Sequence, residues 1–150
     1  MIGGPADVPA PRTAPTQPSE KLAYGMTVTH RRYVPYAHAH YAGGLVDGAY
    51  VLGLFGDVAT EVCIRTDGDE GLFAAYTQVQ FCAPVRAGDM LEVAATITKV
   101  GTRSRTLDFT ARVVCRGRPD RDASSAEVLD PPIEVVTATG IVVVPGPRGS

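Results

Sequence analysis

The chain has 150 residues, 45% of them hydrophobic, and a formal net charge of -2. That length and apolar content suit one globular domain with a real core. The slight acidity argues against nucleic acid as the main partner, because phosphate binding needs a basic surplus, and the most apolar run is too short and too broken by charge to cross a bilayer.

Three cysteines, Cys63, Cys82 and Cys115, sit in apolar surroundings with no CxxC spacing. They read as reduced core residues rather than a disulfide framework or a metal site. The N-terminus shows neither a basic start nor an apolar run, so no secretory leader is expected and a cytoplasmic protein is.

Residues 1–20 hold five of the twelve prolines and show no periodicity. They are expected to be a disordered tail, with the domain spanning 21–146 and a short tail at 147–150. Between Tyr24 and Tyr36, Met26, Val28 and His30 alternate with Thr27, Thr29 and Arg31, which predicts a first strand ending near Pro35. His30 would be a partly buried strand histidine.

The stretch His38 to Glu61 (HAHYAGGLVDGAYVLGLFGDVATE) is the centre of the chain. A polar turn with two histidines runs into about five helical turns of mostly apolar residues. With almost no polar face, that helix belongs inside a core. Gly48, Gly53 and Gly56 each cost roughly 1 kcal/mol relative to Ala in a helix interior, so each is expected to meet a close neighbour.

Downstream, Arg65 to Glu70 (RTDGDE) predicts a turn, and Leu72 to Val85 a strand with Phe73, Ala75, Thr77, Val79 and Phe81 on one face. Met90 to Val100 and Arg103 to Cys115 alternate as strictly, and consecutive antiparallel pairing is the simplest arrangement. Arg116 to Pro132 predicts a long loop, with a possible helical turn at Ser124 to Leu129, and Ile133 to Val144 the last strand. The whole is an α+β arrangement in which an antiparallel sheet of about five strands curls around one long central helix.

That order, together with the stretch Phe81 to Val113, in which Pro84-Val85 and Gly88-Asp89 form the turn joining the strands after the central helix, resembles the hotdog fold of acyl-CoA thioesterases and dehydratases. The segments HAHYAGGLVDGA, LFGDVATE and DGDEGLFAAY are similar, in order, to the 3-aminobutyryl-CoA and beta-alanyl-CoA ammonia lyases. The resemblance implies reversible loss of ammonia from a short 3-aminoacyl-CoA. CoA would enter as part of the substrate, with no other cofactor, and the protein would form a homodimer or a trimer of dimers. An acyl-CoA thioesterase and a non-catalytic thioester-binding module are the competing readings.

Such an elimination needs a base for the proton beside the thioester carbonyl, donors for the enolate oxygen and an anionic setting for the ammonium. The helix start at Asp47-Gly48-Ala49 offers unpaired N–H groups and a positive dipole end; equally, Gly48 could be small only for packing. Asp57, among Leu54, Phe55 and Val58, is the expected base. The resemblance assigns it that role, often across a dimer interface.

Asp47 is either the helix cap or a partner for the substrate ammonium. Glu61, one turn after Asp57, could pair with it or with an arginine and ranks as a substrate contact. His40, with Tyr41 beside it, is placed to carry a proton to the leaving amine. His38 and His40 would point the same way if their segment is extended; no third ligand follows at a spacing suited to a metal. Arg103, Arg105, Arg116, Arg118 and Arg121 include candidates for the CoA phosphates.

Overall fold

The computed structural model describes residues 23–146; the tails expected at 1–20 and 147–150 lie outside them. Strand β1 (Thr27–Tyr33) is followed by a 3-10 turn, Tyr36–His38, the short β2 (Ala39–Tyr41), a second 3-10 turn, Ala42–Gly44, and the two-residue β3 (Leu45–Val46). Helix α1 (Gly48–Asp67) comes next, then β4 (Leu72–Phe81), β5 (Met90–Val100), β6 (Ser104–Gly117) and β7 (Ala126–Val143). The five long strands form one antiparallel sheet in the order β1-β5-β6-β7-β4.

Helix α1 starts and stops where its sequence provides caps. Asp47 accepts the Tyr50 N–H through Oδ1 at 3.3 Å, and Gly68 adopts the left-handed conformation, φ 64°, that closes the last turn. Val51, Phe55, Val58, Ala59, Val62, Cys63 and Thr66 are buried, the spacing of a single helix face. That face lies on the sheet, mainly over β5 and β1. Phe55 stacks on Phe109 of β6 with ring centroids 4.9 Å apart, and Phe73 of β4 stacks on the same ring at 5.8 Å.

Burial is one-sided, and this corrects the expectation of a helix enclosed all round. Gly53, Asp57 and Ile64 are exposed, and a methyl group at Gly53 or Gly56 would meet nothing. Gly48 alone of the three has the close neighbour expected: a Cβ there would fall 2.6 Å from the Phe81 ring.

The strict alternation of β5 and β6 matches their burial: Leu91, Val93, Ala95 and Ile97 are buried in one, Leu107, Phe109, Ala111 and Val113 in the other. Strand β4 departs from expectation twice. It pairs with β7 at the far edge of the sheet rather than with β5. Register shifts after Phe73 and Tyr76 also break its alternation. Phe73, Tyr76 and Val79 therefore pack on the core, and Tyr76 donates its hydroxyl to the Leu52 carbonyl at 3.1 Å, while Phe81 is left 59% exposed.

The long loop expected over Arg116 to Pro132 is mostly sheet. Gly117, Arg116 and Cys115 pair with Ala126, Glu127 and Val128, and the register shift between Val113 and Cys115 absorbs Pro131 and Pro132, which lack the N–H a regular ladder needs. Only residues 118–125 turn the chain, and Ser124 to Leu129 is not helical.

The turn joining β4 to β5 is fastened from several sides. Asp89 is fully buried; Arg116 grips both its oxygens at 2.9 Å and also reaches the Pro84 carbonyl at 3.1 Å. The Arg86 N–H donates to Asp89 at 2.8 Å. Backbone bonds tie the same turn to Val34, Gly44 and Val46. Breaking a buried ion pair strands the remaining charge, so Asp89→Asn should lower unfolding stability by about 3 kcal/mol. Urea denaturation followed by circular dichroism measures it; a loss within experimental scatter would make the pair dispensable.

Candidate active site at the helix start

The turn just described sets one wall of a cavity of about 390 Å³ at the N-terminus of α1. Val46 and Val85 form part of it, fixed to each other by the Val46 N–H to Val85 carbonyl bond of 2.9 Å. Val51 and Val136 supply buried apolar surface, Phe81 and Pro84 the outer side, and Asp47 and Gly48 the polar corner. The first N–H groups of a helix have no acceptor within it. An electron-rich oxygen entering this cavity therefore meets unpaired donors and the positive end of a 20-residue helix.

Asp57 does not share that cavity. It lies on the exposed face of α1 in a depression of about 190 Å³ with His30, Arg31, Arg32, Leu54 and Val93. Its expected apolar setting is not supplied by this chain alone, since Phe55 and Val58 turn inward to the sheet. Arg32 donates from Nε to the Tyr50 hydroxyl at 3.1 Å. That bond, and more weakly the charge of Asp57, holds the guanidinium above its ordinary value.

The other expected site residues divide clearly. Asp47 and Gly48 line the cavity, with Asp47 also serving as the cap. Ala49 follows on the exposed side of the helix start. His40 and Tyr41 are exposed on β2, their rings edge to face at 4.6 Å, and line neither depression. His38 belongs to a 3-10 turn rather than an extended segment, so it does not match His40; its ring lies 4.6 Å from that of Tyr50.

Glu61 pairs with an arginine, as one of its two expected roles had it: Arg65 lies at 2.8 Å and His30 at 2.9 Å, and Glu61 lines neither depression. Four of the five arginines considered for CoA are likewise taken: Arg105 by Asp67, Arg116 by Asp89, Arg118 by Asp120 and Glu127, and Arg121 by Glu127. The cysteines are all free, but Cys82 is exposed rather than in the core. Burial pushes the Cys63 thiol up to about 11. Among the described residues no group of three His, Cys, Asp or Glu is placed to hold a metal ion, and no helix is long and apolar enough to cross a membrane.

Phe81, Pro84 and Val136 were not foreseen as site residues. The available signal was Gly48 itself, since a helix glycine needing a close neighbour implies a bulky group against the helix start. Which residue supplies it depends on the bulges of β4.

The sequence model of the thioesterase superfamily matches residues 43–119, and the chain belongs to that superfamily, with its hotdog fold. A 3-aminobutyryl-CoA ammonia lyase of Acetoanaerobium sticklandii is 57% identical over 107 residues, covering 71% of this chain and 85% of the relative. The solved beta-alanyl-CoA:ammonia lyase of Clostridium propionicum superposes with a TM-score of 0.77 at 35% identity, over 84% of this chain and 93% of that one. A hexameric hotdog thioesterase of Campylobacter jejuni shares the fold, with a TM-score of 0.64 at 15% identity over 81% and 84% of the two chains. Within the superfamily the chain is thus an enzyme of the ammonia lyase family, a carbon–nitrogen lyase.

The Glu61 pairs generate a pH test. Arg65 first, then His30, holds this carboxyl below its ordinary value of 4.5. A depressed carboxyl stabilises the fold above its unfolded value and loses that contribution as pH falls through the folded one. Glu61→Gln should therefore lower Tm at pH above 4.5, and the gap to the wild type should close below it. A gap that persists into acid would show that the ion pairs are not its source.

Proposed function

We propose that the protein catalyses the reversible elimination of ammonia from a short 3-aminoacyl-CoA, giving the enoyl-CoA. What supports this is the cavity at the start of α1, lined by Gly48, where the first N–H groups have no acceptor within the helix, in a chain of the ammonia lyase family. The thioester oxygen would lie against those groups, where charge developing in the enolate is stabilised by donors already in place. A base takes the proton next to the carbonyl, the electron pair spreads onto the oxygen, and it returns to form the double bond as the carbon–nitrogen bond breaks. The substrate ammonium leaves as ammonia, which takes the base's proton and departs as ammonium.

Asp57 is the base in this reading, supplied by a second copy. Asp57 lies nine residues after Gly48 on the helix, about 13 Å along the axis, too far for one protomer to touch both the thioester oxygen and the adjacent carbon. Asp57 of the partner subunit would complete the site in a homodimer, alone or within a trimer of dimers. Open glycines at Gly53 and Gly56 beside Asp57 leave room for such an approach. Asp47, whose cap occupies only Oδ1, offers Oδ2 to the substrate ammonium. Neither His40 nor Tyr41 enters these steps. The free cysteines fit a reducing cytoplasm.

Purified protein given crotonyl-CoA or acryloyl-CoA and ammonia should consume the enoyl absorbance and incorporate amine; release of free thiol instead would make it a thioesterase. Asp57→Asn should cut turnover by about 10²–10⁴-fold without changing the circular dichroism spectrum. The composite site adds a sharper outcome. Asp57→Asn and Gly48→Val, each inactive alone, should recover about a quarter of wild-type activity when refolded together, since half the dimers are mixed and each holds one intact site. No recovery, from variants that circular dichroism shows to be folded, would remove the partner's Asp57 as the base.

A further inference from the structure

We infer that Phe81 sets the length of acyl chain the enzyme accepts, an inference that rests on the helix start being the thioester site. Four observations carry it. The Phe81 ring lies directly against the helix start, so close that a Cβ on Gly48 would be 2.6 Å from Cε1 and 2.7 Å from Cζ. A thioester carbonyl held at the Gly48 N–H therefore has this ring as an immediate neighbour.

The ring is also the largest side chain lining the cavity. Its companions are valines, alanine, proline and small polar groups, and Val46, Val51, Val85 and Val136 are all buried and held by the core. Phe81 is instead more than half exposed and belongs to no part of that core. Shortening it enlarges the cavity without opening a hole elsewhere.

Its backbone, by contrast, is anchored. Phe81 pairs with Val136, and the next two N–H groups, of Cys82 and Ala83, both donate to the Val135 carbonyl, at 2.7 and 3.2 Å. The ring thus stands on a fixed base and acts as a stop for whatever extends past the reacting carbons. Finally, the cavity's lone carboxylate is Asp47, at the same corner as Gly48. An ammonium on the third carbon of the acyl chain can reach it, whereas further methylenes run into the ring.

The test separates this inference from the reaction it serves. Saturated butyryl-, hexanoyl- and octanoyl-CoA cannot undergo elimination, so their Kd values, measured by titration calorimetry on the wild type, Phe81→Leu and Phe81→Ala, report the cavity alone. A misfit of this kind discriminates by about tenfold or more per step in a tight apolar site. The wild type should bind butyryl-CoA at least about tenfold more tightly than hexanoyl-CoA, Phe81→Leu should narrow that ratio and Phe81→Ala should abolish or reverse it. Thermal melts confirm that the variants fold, and the leucine variant serves if the alanine one does not. A wild type that binds all three alike, or a ratio unchanged in the variants, overturns the assignment. Ammonia addition to crotonyl-CoA, run on the same wild-type protein, tests the reaction independently: its failure beside a shifted binding ratio would sink the lyase reading and leave Phe81 as the chain-length stop.

Discussion

The packing of one face of α1 on the curved sheet governs everything else in this molecule. Phe55 stacked on Phe109, with valines above and below on the same helix face, fixes the rotation of the helix about its own axis. Removing a buried ring of this kind costs about 3–5 kcal/mol, so the rotation is not negotiable locally. Once it is set, the helix start must emerge between β3 and the end of β4, and the opposite stripe, with Gly53 and Asp57, must face away from the sheet. The core thus determines both where donors are presented and where the carboxylate is not.

The chemistry follows from that division. A rigid helix separates its own ends from its own middle, and no side-chain rotation spans the gap between Gly48 and Asp57. Donors at one place and a carboxylate at another make two half-sites per chain, which is why the proposed mechanism needs two copies. The ion pairs of Arg105, Arg116 and Arg118 play a supporting part. Arg116 fastens the turn that frames the cavity, whereas Arg105 ties the end of α1 to the β5–β6 turn and Arg118 holds the β6–β7 connection.

How much of this could be read beforehand depended on whether neighbours in sequence or neighbours in space carried the signal. Strands β5 and β6 were legible because Leu91 to Ile97 and Leu107 to Val113 alternate, and the ends of α1 because Asp47 and Gly68 are local caps. Strand β4 was not, since two register shifts reassign Tyr76 to the core and Phe81 to the cavity, and bulges leave no mark in a period-two pattern. The segment from Arg116 to Pro132 misled for the opposite reason: charge and proline look like a loop, yet the sheet takes up both prolines at a shift in its own register. At the site, Gly48 and Asp47 stood out locally. Glu61 and His40 carried suitable chemistry, but only the folded positions of His30, Arg65 and Tyr41 reveal that the first is already paired and the second lies outside the cavity.

The strand that ends in Phe81 is also a border of the sheet, hydrogen-bonded on one side only. Growth of the sheet at that border and selectivity in the cavity therefore share a mechanical element. In the proposed site, a change of contacts along its free rim would shift the Phe81 ring, and a substitution that fits the cavity to a bulkier acyl group would alter the strand's exposed edge.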